Sequence, residues 1–195
     1  MKSEKLLNRS GHYVNGPLLL KPSVFRDDRG FFLESWNHQV FKNLLEEDGQ
    51  SPDVFVQDNH SQSRFGVLRG LHYQLPPHPQ AKLVRCVTGE IFDVAVDIRK
   101  DSPTFGSWVS ARLSAENCHQ LWIPPGFAHG FLTLSERADV LYKTTYFWNR
   151  DSERSIRWND PRIMIDWPEI DNPLLSDKDA VASYLSDQEI IDWTA

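Results

Sequence analysis

Apolar and polar residues alternate through the middle of the chain, most clearly over residues 91–99. There Phe92, Val94, Val96 and Ile98 interleave with Asp93, Ala95 and Asp97. A period of two turns successive side chains to opposite faces of a strand, which predicts one apolar and one mainly polar face. Shorter runs over 82–87, 108–113, 120–123, 130–134 and 139–148 continue the pattern, separated by Gly, Pro and Asn. Thr88-Gly89 predicts a hairpin turn joining 82–87 to the strand that follows. Upstream, 16–25 is a short apolar strand and 26–30 (RDDRG) a turn. Residues 31–36 alternate again, with Phe32 and Glu34 on one face and Phe31, Leu33 and Ser35 on the other. The period changes in two places. Val40, Phe41, Leu44 and Leu45 predict a short amphipathic helix over 37–46, followed by a loop over 48–53. Val181, Tyr184 and Leu185, opened by Ser176-Asp177-Lys178-Asp179, predict a C-terminal helix over about 174–192. Evenly spaced short strands predict an all-β fold, an antiparallel sandwich or barrel with a few short peripheral helices.

Composition narrows the function classes. A chain of 195 residues suits one sizeable core, and no repeat or low-complexity linker divides it, so a single domain over 1–195 is expected. The net charge of −6 and the lack of a basic stripe argue against a nucleic-acid partner. An anionic ligand would need a local basic pocket in this acidic protein. The N-terminal MKSEKLLNRS is polar, and no apolar run approaches the roughly 20 residues that span a bilayer. Cys86 and Cys118 are too few for a disulfide framework and form no CxxC pair. The expectation is a soluble, cytoplasmic protein without a membrane partner.

The candidate chemistry centres on residues 66–74, GVLRGLHYQ, which place Arg69 close to His72 between two glycines. Arginine is a permanent cation and histidine titrates near neutrality, so the pair suits an anion beside a proton transfer. An edge strand with a surface arginine and a hydrogen-bonded histidine explains the stretch equally well. Arg69 and His72 have opposite parity, so both face one pocket only if Gly70 hosts a bulge or twist. Gln57 and Asn59 share parity and can face one cavity, as can Tyr142 and Trp148 on a regular strand. Residues 123–131, IPPGFAHGF, carry Pro124, Gly126 and His129 in a Pro-x-Gly-x-x-His pattern that returns a histidine toward a barrel interior. The pattern resembles the second motif of cupins, small β-barrels that often bind a metal. Metal-binding cupins draw a His-x-His pair and a glutamate from an earlier strand. Here that strand reads His72-Tyr73-Gln74, which falls short of the three or four ligands a metal needs, so no metal is expected.

Further motifs occur in a fixed order: Gln57-Asp58-Asn59-His60-Ser61, then 67–74, Gln80-Ala81-Lys82-Leu83-Val84, and 94–99. Ser102-Pro103-Thr104-Phe105-Gly106, 125–131, 140–145 and Trp158-Asn159-Asp160-Pro161 follow. Over about residues 17–180 the chain resembles the dTDP-4-dehydrorhamnose 3,5-epimerases. The resemblance implies a cupin-type antiparallel barrel, or jelly roll, and an isomerase that needs no cofactor. Its substrate would be dTDP-4-dehydro-6-deoxy-D-glucose, inverted at C3 and C5 to dTDP-4-dehydro-L-rhamnose for dTDP-L-rhamnose and polysaccharide synthesis. By the same resemblance His72 is the general base, Asp179 its carboxylate partner, Lys82 the group facing the developing oxyanion and Tyr142 the proton donor. Arg29, Glu34, Gln57, Asp58, Asn59, Arg69, His129, Glu153 and Lys178 match substrate-contacting positions. Trp148 stands where the family generally stacks a tyrosine on thymine. The resemblance also implies a homodimer in which N-terminal strands serve the neighbouring subunit, so that Arg29 and Glu34 reach the partner's pocket.

Other readings of the same residues stay open at this point. Ser176-x-x-Asp179 is also a capping box with Asp in the usual Glu position, which would engage the same carboxylate. Lys82 also reads as a solvated strand lysine, and Tyr142 as a core aromatic. Family members that invert C3 alone, or accept other nucleotide sugars, share these motifs. A metal-dependent or non-catalytic sugar-binding cupin would share the barrel and the histidine turn.

Overall fold

The computed structural model describes residues 1–51, 54–170 and 172–187. From the N-terminus come β1 (Lys2–Leu7), β2 (Tyr13–Lys21), the hairpin β3 (Val24–Asp27) and β4 (Gly30–Leu33), and the helix α1 (His38–Glu47). Next are β5 (Gln57–Arg64), β6 (Leu68–Gln74), β7 (Lys82–Thr88), β8 (Glu90–Asp97) and β9 (Trp108–Ser114). The strands β10 (Gln120–Ile123), β11 (Phe127–Thr133), β12 (Arg137–Thr144) and β13 (Glu153–Ser155) complete the sheets. One sheet runs β1-β2-β10-β7-β12-β5, the other β13-β6-β11-β8-β9, and each pairing within them is antiparallel. This is an all-β, cupin-like jelly roll with only short helices.

The two sheets face each other across an apolar interior. Val84, Cys86 and Val140 of the first meet Ile91, Ala95, Val109 and Phe131 of the second. Each sheet is also covered on its outer side. Leu18, Leu20, Leu83 and Trp122 lie under Phe41 and Leu45 of α1. That explains the unbroken apolar run in β2, whose Leu19 belongs to the interior while Leu18 and Leu20 belong to the outer layer. The Asn37 side chain starts α1 by accepting from the backbone N–H groups of Gln39 (3.0 Å) and Val40 (3.2 Å). The segment carrying Ile156, Ile163 and Leu185 covers Leu71, Tyr73, Val94 and Val96 of the second sheet.

Four expectations change. Thr88-Gly89 joins no hairpin: β7 pairs with β10 and β12, β8 with β9 and β11, so the turn carries the chain from one sheet to the other. The expected polar face of β8 is not solvated, since Asp93, Ala95 and Asp97 are all fully buried and look into the barrel. The strand expected over 139–148 ends at Thr144, where the chain bends away before Trp148. The C-terminal helix is a single turn, α2 (Asp177–Ala180), with a 3-10 turn at Leu185–Asp187. Val181 is 80% exposed between them, so its spacing with Tyr184 and Leu185 does not build an apolar helix face. Residues 188–192 of that expected helix, and Pro52 and Asp53 of the expected loop, lie outside the described residues.

Candidate active site

The site begins with a defect in β6. His129 of β11 is opposite His72 and Phe131 is opposite Arg69, so two residues of β6, Gly70 and Leu71, stand against Gly130 alone. That extra residue is the bulge the parity of Arg69 and His72 called for, and both side chains line one cavity. Gly70 has φ of +123°, and a Cβ there would sit 2.5 Å from the Gly130 Cα and 2.7 Å from the His129 carbonyl oxygen. Only glycine fits.

The cavity holds about 320 Å³ and opens between the two sheets. On the five-stranded side His72 donates from Nε2 to Asp179 Oδ1 at 2.6 Å. A carboxylate can only accept, so the imidazole offers its Nδ1 lone pair elsewhere. Asp179 is 2% exposed. Burial alone would raise its carboxyl pKa, but the hydrogen bond and charge of His72, with Ser176 and the Gly70 amide, hold it below the ordinary value. The capping alternative is resolved by using different atoms. Ser176 Oγ accepts from the Asp179 backbone N–H at 3.2 Å, while the Asp179 carboxylate turns to the histidine.

The six-stranded sheet supplies Lys82 and Tyr142 from across the barrel. Lys82 is buried, not solvated, and its Nζ donates to the His72 carbonyl at 3.2 Å. Burial lowers its pKa to about 8, against the opposing pull of Asp93 and Glu153. Burial raises the Tyr142 phenol, with Glu153 adding to the effect and Arg69 opposing it. At neutral pH the site therefore holds an ammonium and a protonated phenol facing a histidine.

Remaining residues form the walls and mouth. Gln57 and Asn59 share a face as expected, Gln57 donating to Asn59 at 2.9 Å. Gln57 also accepts from the Trp148 backbone N–H at 3.0 Å, which ties the half-exposed Trp148 to the rim. Tyr142 and Trp148 thus reach one cavity through a bend and not through a shared strand face. Glu153 lines the cavity and pairs with Lys178 at 2.7 Å. Within the subunit three expected residues lie elsewhere. Asp58 is on the other face of β5, paired with Lys143 at 3.0 Å. Arg29 pairs with Asp27 at 2.6 Å in the exposed hairpin, and Glu34 accepts from Asn37 at 2.6 Å. Among the described residues no three of His, Cys, Asp and Glu converge as a metal-ligand set.

Sequence reasoning missed Gln74 and Asp93. Gln74 donates to the carbonyls of His78 and Phe147 and accepts from the Asn149 N–H, so one buried side chain ties down the loop bearing Trp148. Its place in His72-Tyr73-Gln74, the same parity as His72, was the available signal. Asp93 lay in the face of β8 read as polar.

A family model described as dTDP-4-dehydrorhamnose 3,5-epimerase matches residues 12–187. The chain belongs to the dTDP-4-dehydrorhamnose 3,5-epimerase family. It is 61% identical over 162 residues to the epimerase of that name from Shigella flexneri, covering 83% of this chain and 87% of the relative. The Pseudomonas aeruginosa epimerase is 59% identical, with 88% and 92% covered. Among solved structures, the dTDP-6-deoxy-D-glucose-3,5-epimerase of Legionella pneumophila, in complex with dTDP-4-keto-L-rhamnose, superimposes with a TM-score of 0.87. It shares 46% identity over 96% of this chain and 95% of that one. Family membership accounts for the ordered motifs, since the cavity residues of β5, β6, β7 and β12 fall within them.

Proposed function

We propose that this epimerase inverts C3 and C5 of dTDP-4-dehydro-6-deoxy-D-glucose, giving dTDP-4-dehydro-L-rhamnose. The observation that carries the reading is the opposition of two side chains. His72, backed by buried Asp179, rises from one sheet, and Tyr142 stands on the facing sheet across the same cavity. The 4-keto group acidifies the hydrogens at C3 and C5. His72 Nδ1 removes one of them, and Asp179 stabilises the imidazolium that forms. The electrons move onto the ketone oxygen as an enolate, and the Lys82 ammonium lies where that negative charge develops. Tyr142 then delivers a proton from the opposite face, which inverts the carbon; once His72 has released its proton to solvent and Tyr142 has regained one, the cycle repeats at the second carbon. Protons leave and return without a change of oxidation state, so the sequence of steps calls for no redox cofactor.

Arg69, fixed by Ser63 Oγ at 3.0 Å and the Gln62 carbonyl at 3.2 Å, supplies the local cation that a diphosphate requires in an acidic protein. Trp148, 55% exposed at the rim, offers a wide face for stacking the base. The reading includes a cytoplasmic homodimer in which the hairpin β3–β4 serves the neighbouring cavity. Phe25, Phe31 and Phe32 expose 65%, 55% and 69% of their surfaces there, which is apolar area suited to burial against a second copy.

Incubation with the keto sugar in deuterated water tests the reaction, with deuterium resolved by carbon. The protein exchanges hydrogen at both C3 and C5; His72→Ala abolishes both while retaining ligand binding, and Tyr142→Phe keeps some exchange but loses productive inversion. Exchange at C3 alone would reassign the protein to single-centre inversion, and binding without exchange would remove the catalytic reading.

A further inference from the structure

A second histidine–carboxylate pair lies beside the first. His129 is directly opposite His72 on the neighbouring strand, and Asp93 of β8 is diagonal to it on the far side. His129 Nε2 donates to Asp93 Oδ1 at 2.6 Å, with the histidine 7% exposed and the aspartate fully buried. His129 lines the cavity, and no hydrogen bond to its Nδ1 occurs among the described residues. Among the described residues the other Asp93 oxygen, Oδ2, is buried without a hydrogen-bond partner. An inward-facing carboxylate satisfied on one side only is a poor choice for stability, because a buried charge needs pairing and full hydrogen bonding. Its neighbours on that face of β8 include Ile91 and Ala95, which are apolar and fully buried. The cost is explicable if the charge serves the reaction.

Resting on the epimerase reading, we propose that Asp93 is a positioning residue: it holds His129 as the Nε2–H tautomer, so that Nδ1 presents a fixed lone pair to a hydroxyl of the bound sugar. A neutral ring is required, because an imidazolium has no lone pair to offer. Burial lowers the His129 pKa and so favours that form. Asp93 opposes the shift through its charge and hydrogen bond, while Lys82 and His72 reinforce it. The same carboxylate acts on Lys82, where burial lowers the ammonium's pKa, Asp93 and Glu153 oppose, and Lys178 adds to the lowering. Asp93 therefore orients one cavity group and keeps its neighbour charged.

Asp93→Asn keeps the shape and removes the charge, and ¹⁵N NMR of the histidines reads its effect. In the parent at about pH 7 His129, assigned by its loss in His129→Gln, is the Nε2–H tautomer, and in Asp93→Asn that preference weakens or reverses. A parent His129 carrying its proton on Nδ1, or an unchanged tautomer in the variant, overturns the proposal. The parent measurement needs no variant and decides the matter even if Asp93→Asn does not fold. In turnover of the keto sugar, kcat/KM in Asp93→Asn falls roughly tenfold to a hundredfold, because the sugar hydroxyl loses a correctly oriented acceptor. The alkaline limb, which lies near the Lys82 pKa of about 8 in the parent, moves to lower pH. An unchanged kcat/KM, or an unmoved limb, overturns the proposal. A parent that turns over no keto sugar overturns instead the epimerase reading on which it rests, and this outcome is visible before any variant is made.

Discussion

Asp179 shows how one residue serves stability and chemistry through separate atoms. Its backbone N–H receives the Ser176 cap and its carboxylate receives His72. The two roles separate in the main by mutation, although Ser176 also helps to hold the Asp179 carboxyl below its ordinary value. Ser176→Ala costs about 1 kcal/mol of stability, measured by denaturant unfolding, because a helix cap is lost. Asp179→Asn lowers turnover by roughly 10²- to 10⁴-fold, since the imidazolium loses its counter-charge. It also changes acid stability in a defined direction. The folded carboxyl titrates below its ordinary value of 3.8, so its stabilising contribution is complete above that pH and disappears as pH falls through the lower folded value. The stability gap between parent and Asp179→Asn therefore narrows as pH falls below 3.8. A gap that persists in strong acid would show that the loss is steric. Ser176-x-x-Asp179 was visible in the sequence as a cap. The partner of the carboxylate was not visible in local spacing, because His72 lies 107 residues away. That pairing came from the family resemblance.

At the scale of elements, Gly70 decides whether β6 can present Arg69 and His72 together. Gly70→Ala introduces a Cβ into 2.5 Å contact with the Gly130 backbone at a φ of +123°. The expected cost is about 3 kcal/mol or more, with loss of turnover beyond what the lower stability explains. An alanine variant of parental stability and activity would remove the bulge from the account. Parity exposed this bulge in advance, because residues three apart cannot share a face of a regular strand. Thr88-Gly89 misled for a related reason. A Gly turn between two strands looks the same whether the chain doubles back in one sheet or passes to the other. Gly89 is demanded by distant backbone, since a Cβ there would lie 2.0 Å from the Arg137 carbonyl oxygen. The alternation in β8 likewise predicted the strand but not its surroundings. Asp93 and Asp97 have the pattern of a wet face yet lie inside, Asp93 on His129 and Asp97 held by Arg99, Ser102 and Thr104. Local sequence carries period; burial depends on which layers close over each face.

For the whole molecule, the unfinished part is the hairpin β3–β4. Among the described residues it pairs only with itself, carries exposed Phe25, Phe31 and Phe32, and keeps Arg29 and Glu34 out of their own subunit's cavity. If a second copy receives the hairpin, each cavity combines His72 of one chain with Arg29 and Glu34 of the other. Two defective variants then repair one another. Arg29→Ala/Glu34→Ala lacks the donated groups and His72→Ala lacks the base, and each alone has strongly reduced turnover. After unfolding and refolding in equal mixture, half of the dimers are mixed, and each mixed dimer has one complete cavity. The mixture should recover about a quarter of the parent activity, as expected for a closed two-fold assembly that shares its sites. Cavities built from one chain would show no recovery above the two variants measured separately, whatever the oligomeric state. Phe31→Glu/Phe32→Glu supplies the complementary measurement. By sedimentation the variant shifts toward monomer if the aromatic surface is buried between subunits, because burying two charges there is costly. Dissociation and lost turnover should then share one concentration dependence, since a separated subunit retains the His72–Asp179 pair but lacks the groups contributed by its neighbour.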